Sequence, residues 1–263
     1  MILQTAPYPI QGKLRPIING TFQFACHPKV PCFTECCRDL NLLLTPYDLV
    51  RLKNHLHISS SELIDRYTEL RFDGKYGIPL LFLKMRKDKQ KTCPFVSREG
   101  CKIYPDRPSA CRIYPLARAS RKDPVHGVTE NYFVLQEDHC RGFDEPKTWT
   151  IEEWILDQGL TPYHEMNNAW MEVLTHPAIK RGLSEKHVQM FYLASYDIDR
   201  FRRLVLNTKF LKLFDLDEKT LKKAMKDDSI LLGLACRWLR FCLCGDWSSL
   251  RLKKTLSSSD SIR

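Results

Sequence analysis

The sequence lacks several patterns that would assign it to a common class of protein. No apolar run approaches the roughly 20 residues that a membrane-spanning helix needs. The glycine-rich fingerprints GxGxxG and GxxxxGK(S/T) are missing, as are the GxSxG nucleophile elbow and the HExxH zinc-protease motif. Glycine itself is scarce, at 11 of 263 residues, and forms no nucleotide-cradling loop. These absences disfavour a membrane protein and a Rossmann-type methylase or dehydrogenase.

The amino-terminal stretch MILQTAPYPIQGKLRP also lacks the basic-then-apolar layout of a secretory signal, and Pro7 and Pro9 interrupt it early. We therefore expect a soluble, cytoplasmic protein. The reducing cytosol keeps thiols free, which disfavours a disulfide framework. The count of 11 cysteines is odd, so a fully paired secreted fold would leave one thiol without a partner.

Positive charge is abundant, with a formal net charge of +10, and such basicity invites a nucleic-acid partner. Metal-bound thiolates weaken that argument, because a four-thiolate zinc site or a cubane iron–sulfur cluster carries a net charge of roughly −2. The basic run KMRKDKQK is typical of a solvated hairpin tip. We expect a protein partner or protein substrate, and neither nucleic acid nor a membrane.

The character of the chain changes near residue 148. Before it, proline-punctuated segments mix helices, as in TPYDLVRLKNHLHIS, with strands, as in GIPLLFLKMR and ENYFVLQED. After it, helical periodicity dominates as far as DDSILLGLACRWLRFCLC, which ends at Gly245. The pattern predicts an α+β fold with a cysteine-cluster metal-binding domain at 1–147, a helical domain at 148–252 and a disordered tail at 253–263.

Cysteine, by contrast, is concentrated in the first half of the chain, where eight thiols lie close together along the sequence. They are Cys26, Cys32, Cys36, Cys37, Cys93, Cys101, Cys111 and Cys140. Short spacings let one loop wrap an ion or a cluster with several thiolates. Free thiols can also pack in apolar cores. The eight cysteines, however, lie in proline-rich loops, where proline stiffens the chain around a ligand. We therefore predict that the eight cysteines bind metal.

The spacing of the cysteines leaves the metal open. Structural zinc favours two C-x2-C knuckles, and the sequence has none. Irregular spacing, an adjacent cysteine pair and a Cys-Pro step favour an iron–sulfur cluster such as 4Fe-4S, with zinc as the alternative. Because adjacent side chains point apart, either Cys36 and Cys37 serve two sites or only one of them ligates. Eight thiols are enough for two four-thiolate sites, or for one such site with additional thiols that assist it.

Two histidines and three further cysteines are expected to lie outside the site. His27 and His139 flank cysteines, and we expect them at the surface rather than as nitrogen ligands. Cys236, Cys242 and Cys244 lie in an apolar helical segment and are expected to pack in its core.

Arginine and tyrosine surround the second cysteine segment. Arg107 and Arg112, with Tyr104 and Tyr114, either form an anion-binding or substrate surface or hold the loop together through backbone carbonyl groups. The sequence leaves both interpretations open.

The stretch FACHPKVPCFTECCRDLNLLLTPYDLVRLK, together with CPFVSREGCKIYPDRPSACRIYPLA, resembles the YkgJ-like cysteine-cluster family, the zinc- or iron-chelating CxxCxxCC domain. The run C-x-I-Y-x-x-R-P-x-x-C-R-x-Y-P is a close match. The first segment departs from the family. Family members usually have two or three residues between their opening cysteines, whereas five residues separate Cys26 from Cys32 in this chain. The resemblance covers residues 22–145 and implies metal chelation.

The same resemblance bears on function, since some members are labelled iron–sulfur oxidoreductases and flagellin lysine methylases carry a related domain. We expect a cytoplasmic protein with an iron–sulfur cluster that serves in electron transfer or in cluster-assisted modification of a protein partner. The alternatives are a structural zinc-binding interaction module without catalysis and an enzyme related to flagellin lysine N-methylases. No acid–base pair specifies a reaction, so catalysis itself stays open.

Overall fold

The computed structural model describes residues 12–123 and 127–253, and these form a mixed α and β fold. That coarse class agrees with the predicted α+β architecture. Residues 1–11 and nearly all of the predicted disordered tail at 253–263 lie outside the described residues. Among the helices of the described ranges, none combines the length and the apolar character that a membrane crossing requires.

The α-helices are concentrated in the second half of the chain, as the sequence periodicity predicts. In the described ranges they are α1 (Pro46–Leu56), α2 (Ser60–Tyr67), α3 (Ser109–Ile113), α4 (Ile151–Asp157), α5 (Thr161–Leu174), α6 (Glu185–Tyr196), α7 (Ile198–Asn207), α8 (Phe210–Leu213), α9 (Glu218–Ala224) and α10 (Asp228–Cys244).

The β-strands are short and pair antiparallel. They are β1 (Lys13–Pro16), β2 (Thr21–Gln23), β3 (Leu43–Leu44), β4 (Thr68–Phe72), β5 (Pro79–Leu83), β6 (Val96–Ser97), β7 (Gly100–Cys101), β8 (Leu116–Asp123), β9 (Gly127–Gln136) and β10 (Thr148–Thr150). One three-stranded sheet has the order β1-β9-β8 and another the order β3-β5-β4. β6 pairs with β7, and β10 pairs with β2, far away in the chain.

Side-chain caps fix the starts of two helices, and a glycine ends a third at the residue that the sequence predicted. At α1 the Thr45 amide donates to the Asp48 carboxylate over 2.9 Å, and the Asp48 amide donates back to the Thr45 hydroxyl. Thr150 and Glu153 form the same capping box at α4. α10 ends at Gly245, whose φ of 68° is a left-handed conformation that glycine adopts without strain.

The larger apolar core draws its side chains from both sides of residue 147. Helices α1 and α2 and strand β5 contribute from one side, and α5, α6, α7 and α10 from the other. Its completely buried members include Leu52, Leu63, Leu81, Val173, Phe191, Phe201 and Leu239. Each such side chain stabilises the fold by about 1.5–3 kcal/mol through burial. The division into two domains at residue 147 stays a prediction.

A smaller apolar core supports the cysteine loops. It comprises Phe22, Phe24, Leu116, Trp154 and Leu160. The ring of Trp154 meets those of Phe22 and Phe24 edge to face, with centroids 5.8 and 5.7 Å away. This core joins β2 to α4, and the last predicted metal ligand packs against its margin.

Buried ion pairs join the two halves of the chain. The Lys53 ammonium on α1 lies 2.8 Å from the Asp228 carboxylate of α10 and 3.2 Å from the Asp199 carboxylate of α7. Arg202 pairs with the same two carboxylates. Because each charge has two partners of opposite sign, the network fixes how α1, α7 and α10 pack.

Candidate metal centre

The first cysteine segment follows β2 as a series of tight turns. Over residues 30–37, four backbone amides donate to the carbonyl oxygen three residues earlier, and the last of these bonds joins Cys37 to Thr34 over 3.0 Å. Thr34 has a φ of 69° and is followed by a short 3₁₀-helix, Glu35–Cys37. This winding keeps the last three thiols of the segment within one small loop.

A backbone hydrogen bond joins the second cysteine segment to the first. The Cys93 amide donates to the Cys37 carbonyl oxygen over 2.8 Å. The β6–β7 hairpin that follows ends on Cys101. Gly100, with a φ of 119°, allows the hairpin to approach the first loop, because an added Cβ would lie 3.1 Å from the Phe33 ring.

The next predicted ligand, Cys111, lies on α3. A buried carboxylate of α1 binds the start of that helix. Asp48 accepts hydrogen bonds from the Ser109 amide over 2.7 Å and from the Ser109 hydroxyl over 3.1 Å. Burial raises the pKa of the Asp48 carboxyl, while hydrogen bonds from Ser109 and Thr45 oppose that rise. One side chain therefore ties the start of α1 to the helix that carries Cys111.

The last predicted ligand, Cys140, enters from the far end of β9. The amide of the next residue, Arg141, donates to the Cys32 sulfur over 3.1 Å. The Ala25 amide donates to the Gly142 carbonyl over 3.0 Å. An added Cβ at Gly142 would lie 2.6 Å from the Ala25 carbonyl oxygen, so glycine is what permits this approach. The Cys140 loop is thus pressed against the first cysteine segment.

Seven of the eight thiols form two electrostatically interacting groups that meet at Cys36, and Cys37 interacts with Cys36. The first thiol group is Cys26, Cys32, Cys36 and Cys140. The second thiol group is Cys93, Cys101 and Cys111. Cys36 interacts with members of both groups and also with the neighbouring thiol of Cys37. The structure therefore brings the eight predicted ligands into one region.

The three thiols of α10 lie elsewhere. Cys236 is buried, and Cys242 and Cys244 pack against the same larger apolar core. This confirms their predicted role in packing.

Burial and the neighbouring thiols raise the pKa of Cys26, Cys93 and Cys111. Burial raises the pKa of Cys26 to about 11, and the neighbouring Cys36 and Cys32 thiols add to the rise. Burial also raises the pKa of Cys93 to about 11 and that of Cys111 well above its usual range. A bound cation reverses this balance, because it stabilises the thiolate, which is the form that ligates metal.

Burial raises the pKa of three of the thiols, and backbone amides that point at their sulfur atoms partly offset that rise. The pairs are Phe95 and Val96 with Cys93, Ile103 with Cys101, and Gly142 with Cys140. Hydrogen bonds to sulfur stabilise thiolate charge and orient a ligand toward its metal. The local backbone therefore favours the thiolate form where burial opposes it.

The thiols supply donors but do not form a coordination site. In residues 12–123 and 127–253, no three His, Cys, Asp or Glu side chains stand in coordination geometry. Soft thiolates from several loops are a donor set that fits zinc or iron.

Arg107 and Arg112 support the ligand loop from within. Arg107 donates to the Tyr104 carbonyl over 2.7 Å and to the Gln158 side chain, and its guanidinium lies 3.8 Å from the Tyr104 ring centroid. Arg112 donates to the carbonyls of Pro105 and Gln158 over 2.5 and 2.6 Å. Both arginines are buried. Of the two open interpretations, the structure favours loop support over an anion-binding surface.

The two histidines near the thiols have other partners. His27 Nε2 lies 3.1 Å from the Glu145 carboxylate, and its Nδ1 accepts the Lys29 amide over 3.3 Å. His139 Nε2 lies 3.9 Å from the Glu137 carboxylate. The side chains of His27 and His139 are 41% and 38% exposed, which agrees with the expected surface positions.

Glu137 is a residue of the site that the sequence analysis missed. Its carboxylate interacts with the Cys36 thiol and with the Tyr114 hydroxyl, which in turn interacts with the Cys140 thiol. The Tyr114 hydroxyl is buried and has no hydrogen-bond partner of regular geometry. The sequence could have drawn attention to Glu137 only through its position, because it precedes the predicted ligand Cys140 by three residues.

Comparison with known proteins agrees with this geometry. Residues 25–141 match the model of the CxxCxxCC family, described as "Putative zinc- or iron-chelating domain". The matched segment begins just before Cys26 and ends just after Cys140, so it encloses all eight thiols. The resemblance to the YkgJ-like family, which is the same family, is confirmed. Searches among curated proteins and among solved structures gave no match.

Proposed function

We propose, because residues 25–141 belong to the CxxCxxCC family of metal-chelating domains, that this chain binds iron in the form of an iron–sulfur cluster. One observation carries the proposal. Eight thiols from separate loops lie in one region, where they interact electrostatically with one another, whereas the remaining three cysteines lie in an apolar helix core.

The origin of the eight thiols in several loops supports iron–sulfur ligation over a structural zinc site. The thiols come from a turn series, a hairpin, a short helix and a strand end, whereas structural zinc sites usually use paired knuckles. Amide hydrogen bonds reach sulfur at Cys32, Cys93, Cys101 and Cys140, and such bonds set the potential of iron–sulfur clusters. A zinc protein remains the second candidate, because the family description names both metals.

The two thiol groups support two metal positions. The first thiol group supplies four thiols. The second thiol group supplies three and gains a fourth from Cys37, whose carbonyl oxygen accepts the Cys93 amide. Adjacent Cys36 and Cys37 then serve different metals, in keeping with side chains that point apart.

An iron–sulfur cluster, when bound, supplies one-electron transfer. The protein's own part is to orient and neutralise the thiolates. Burial raises the pKa of both Cys26 and Cys101, and the positive charge of the buried Arg107 guanidinium opposes that rise in each, so it acts on both thiol groups. Its hydrogen bonds to Tyr104 and Gln158 hold it in that position.

The proposal extends to a cytoplasmic protein with a protein partner. All eleven cysteines are free thiols, the form that a reducing compartment maintains. Tyr104, which stacks on Arg107, is 54% exposed, and Leu156, two residues before Gln158, is 81% exposed. Exposed apolar side chains beside a ligand loop are typical of a partner surface.

The test is metal analysis of protein isolated without oxygen. We expect a brown protein with absorption near 400 nm, iron and acid-labile sulfide. Cys32→Ser and Cys101→Ser each remove one ligand from a different thiol group and should each lose part of the iron. Cys242→Ser, on α10, is the matched control and should keep the wild-type iron content.

Two results would overturn this proposal. A colourless wild-type protein that contains only zinc would replace the iron–sulfur cluster by the structural zinc site. Wild-type protein that contains neither metal, even after reconstitution with iron and sulfide, would exclude metal binding by the eight thiols.

A further inference from the structure

Strand β4 forms one edge of the β3-β5-β4 sheet, and its outer side is open. Among the described residues, this strand pairs with β5 alone. Its sequence, TELRF, contains none of the lysines or prolines that commonly protect the edge of a sheet. An open edge of this kind can accept a further strand through backbone hydrogen bonds.

The register of the sheet shows which backbone groups of β4 are available to such a strand. The Lys84 amide donates to the Tyr67 carbonyl oxygen over 2.8 Å. Because bonded pairs alternate along an antiparallel ladder, the odd-numbered residues of β4 bond to β5 and the even-numbered residues point away from it. In residues 12–123 and 127–253, the outward amides of Leu70 and Phe72 have no backbone acceptor.

The side chains of the same two residues are apolar and exposed. Leu70 is 47% exposed and Phe72 is 56% exposed. Leu70 lies directly opposite Leu81, which is completely buried, so Leu70 and Phe72 project from the side of the sheet that faces the larger apolar core. A strand added at this edge therefore covers apolar surface in addition to pairing backbone groups.

The charges of β4 fit a second copy of the same strand. When two β4 strands pair antiparallel with Leu70 opposite Leu70, the Glu69 of each copy lies opposite the Arg71 of the other. Opposite charges directly across two strands stabilise the pair, and like charges destabilise it. The two nearest registers that still bring the outward backbone groups face to face place Arg71 opposite Arg71 or Glu69 opposite Glu69. The charges thus select one register.

We infer that β4 is a self-association edge, through which two copies of this chain pair antiparallel about Leu70 and form one sheet with three strands from each copy. Each Leu70 amide donates to the Leu70 carbonyl of the second copy, and each Phe72 amide donates to the Thr68 carbonyl of the second copy. The Thr68 amide needs no new partner, because it already donates to the Ile64 carbonyl. This inference is independent of metal binding.

Sedimentation velocity of the full-length chain at increasing protein concentration tests the dimer. A five-residue strand buries a small area, so wild type should associate weakly and reversibly. Glu69→Lys and Arg71→Glu each place like charges opposite one another and should each weaken the dimer about tenfold or more. Glu218→Lys and Lys222→Glu make the same charge changes in an exposed ion pair of α9 and should match wild type.

An equal mixture of the Glu69→Lys and Arg71→Glu chains tests the register. In a mixed dimer the introduced lysine lies opposite the introduced glutamate, and the remaining Arg71 lies opposite the remaining Glu69. The mixture should therefore associate about as strongly as wild type, although each variant alone associates weakly. A folding defect in either variant would not be repaired by mixing, so this result depends on the proposed pairing.

Three results would overturn the inference. Wild type that stays monomeric at every concentration would leave the open edge to an extended segment of a different protein. A wild-type dimer that neither single variant weakens would place the contact on another surface. A mixture that associates no better than its two components would exclude the pairing about Leu70.

Discussion

Arg141 donates its backbone N–H to the sulfur of Cys32 over 3.1 Å, although 109 residues separate them in the chain. The amide of Cys93 likewise reaches the carbonyl of Cys37. Backbone bonds between the loops thus hold the thiols near one another in the absence of any ligand. A site arranged in this way loses less conformational entropy when metal binds.

The hairpin that carries Cys101 depends on glycine at residue 100. Gly100→Ala should lower the free energy of unfolding by about 1–3 kcal/mol, because a φ of 119° is strained for alanine and its Cβ would crowd the Phe33 ring. Urea unfolding measures the loss, and metal analysis should show reduced content. Gly74→Ala is the control, since an added Cβ there meets nothing within 4 Å. Equal stability of the two variants would contradict the prediction.

Arg112 should not tolerate lysine. Its guanidinium donates to two carbonyl groups from different elements and lies over the Tyr163 ring, a geometry that a single ammonium cannot reproduce. Arg112→Lys should therefore reduce the free energy of unfolding by about 1–3 kcal/mol. Thermal and urea unfolding provide the measurement. Arg98→Lys, at an exposed hairpin tip, should have no measurable effect, and the prediction is wrong if Arg112→Lys behaves in the same way.

Leu81 tests the contribution of the larger apolar core. It is completely buried in the central strand of the β3-β5-β4 sheet. Leu81→Ala should cost about 2–5 kcal/mol, from lost burial and from the cavity that remains. The matched Leu156→Ala, at a side chain that is 81% exposed, should change the free energy of unfolding by less than about 0.5 kcal/mol. Denaturant titration of the two variants under identical metal loading decides the comparison.

Asp228 should make stability depend on pH in the acidic range. Burial opposes its ionisation, but hydrogen bonds from Lys53 and Arg202 outweigh that effect and hold its pKa below the usual value. A lowered folded-state pKa stabilises the protein above the unfolded pKa, about 3.9, and that contribution disappears as pH falls through the folded pKa. Wild type should therefore be more stable than Asp228→Asn at pH 7, with the difference shrinking below pH of about 4.

Urea midpoints of metal-free wild type and Asp228→Asn at several pH values measure this difference without interference from acid-induced metal release. A gap between the two proteins that stays constant from neutral to strongly acidic pH would show that Asp228 is not responsible.

Local features of the fold were predictable from the sequence, because their causes lie within a few residues. Thr45 and Thr150 start helices where their spacing to Asp48 and Glu153 permits a capping box, and Gly245 ends α10. The compact apolar run in GIPLLFLKMR predicted strand β5. In each case the deciding interaction spans no more than one helical turn or one strand.

Long-range pairings were not predictable from the sequence. Strands β2 and β10 have three residues each, too few to show alternation, and they pair across more than a hundred intervening residues. The hydrogen bonds of Ser109 to Asp48 are of the same kind, since nothing near Asp48 in the sequence indicates its partner.

The candidate site also has a part that could be predicted from the sequence and a part that could not. The eight cysteines could be selected from the sequence because thiols crowd into proline-rich loops. Their division into two groups, and the place of Glu137 beside Cys36, depend on how four segments meet in space. Arg107 and Arg112 were ambiguous for the same reason, since their carbonyl partners include Gln158, far along the chain.

The pairing of β2 with β10 has a consequence for biosynthesis. The Trp149 indole donates to the Phe24 carbonyl over 2.9 Å, and the Phe24 amide donates to the Lys147 carbonyl over 2.8 Å. The backbone that leads into the Cys26 loop therefore gains these bonds only after residues beyond the family-matched segment have left the ribosome. We expect metal binding to be a late event in maturation, and fragments truncated after residue 141 to expose their sulfur atoms to oxygen.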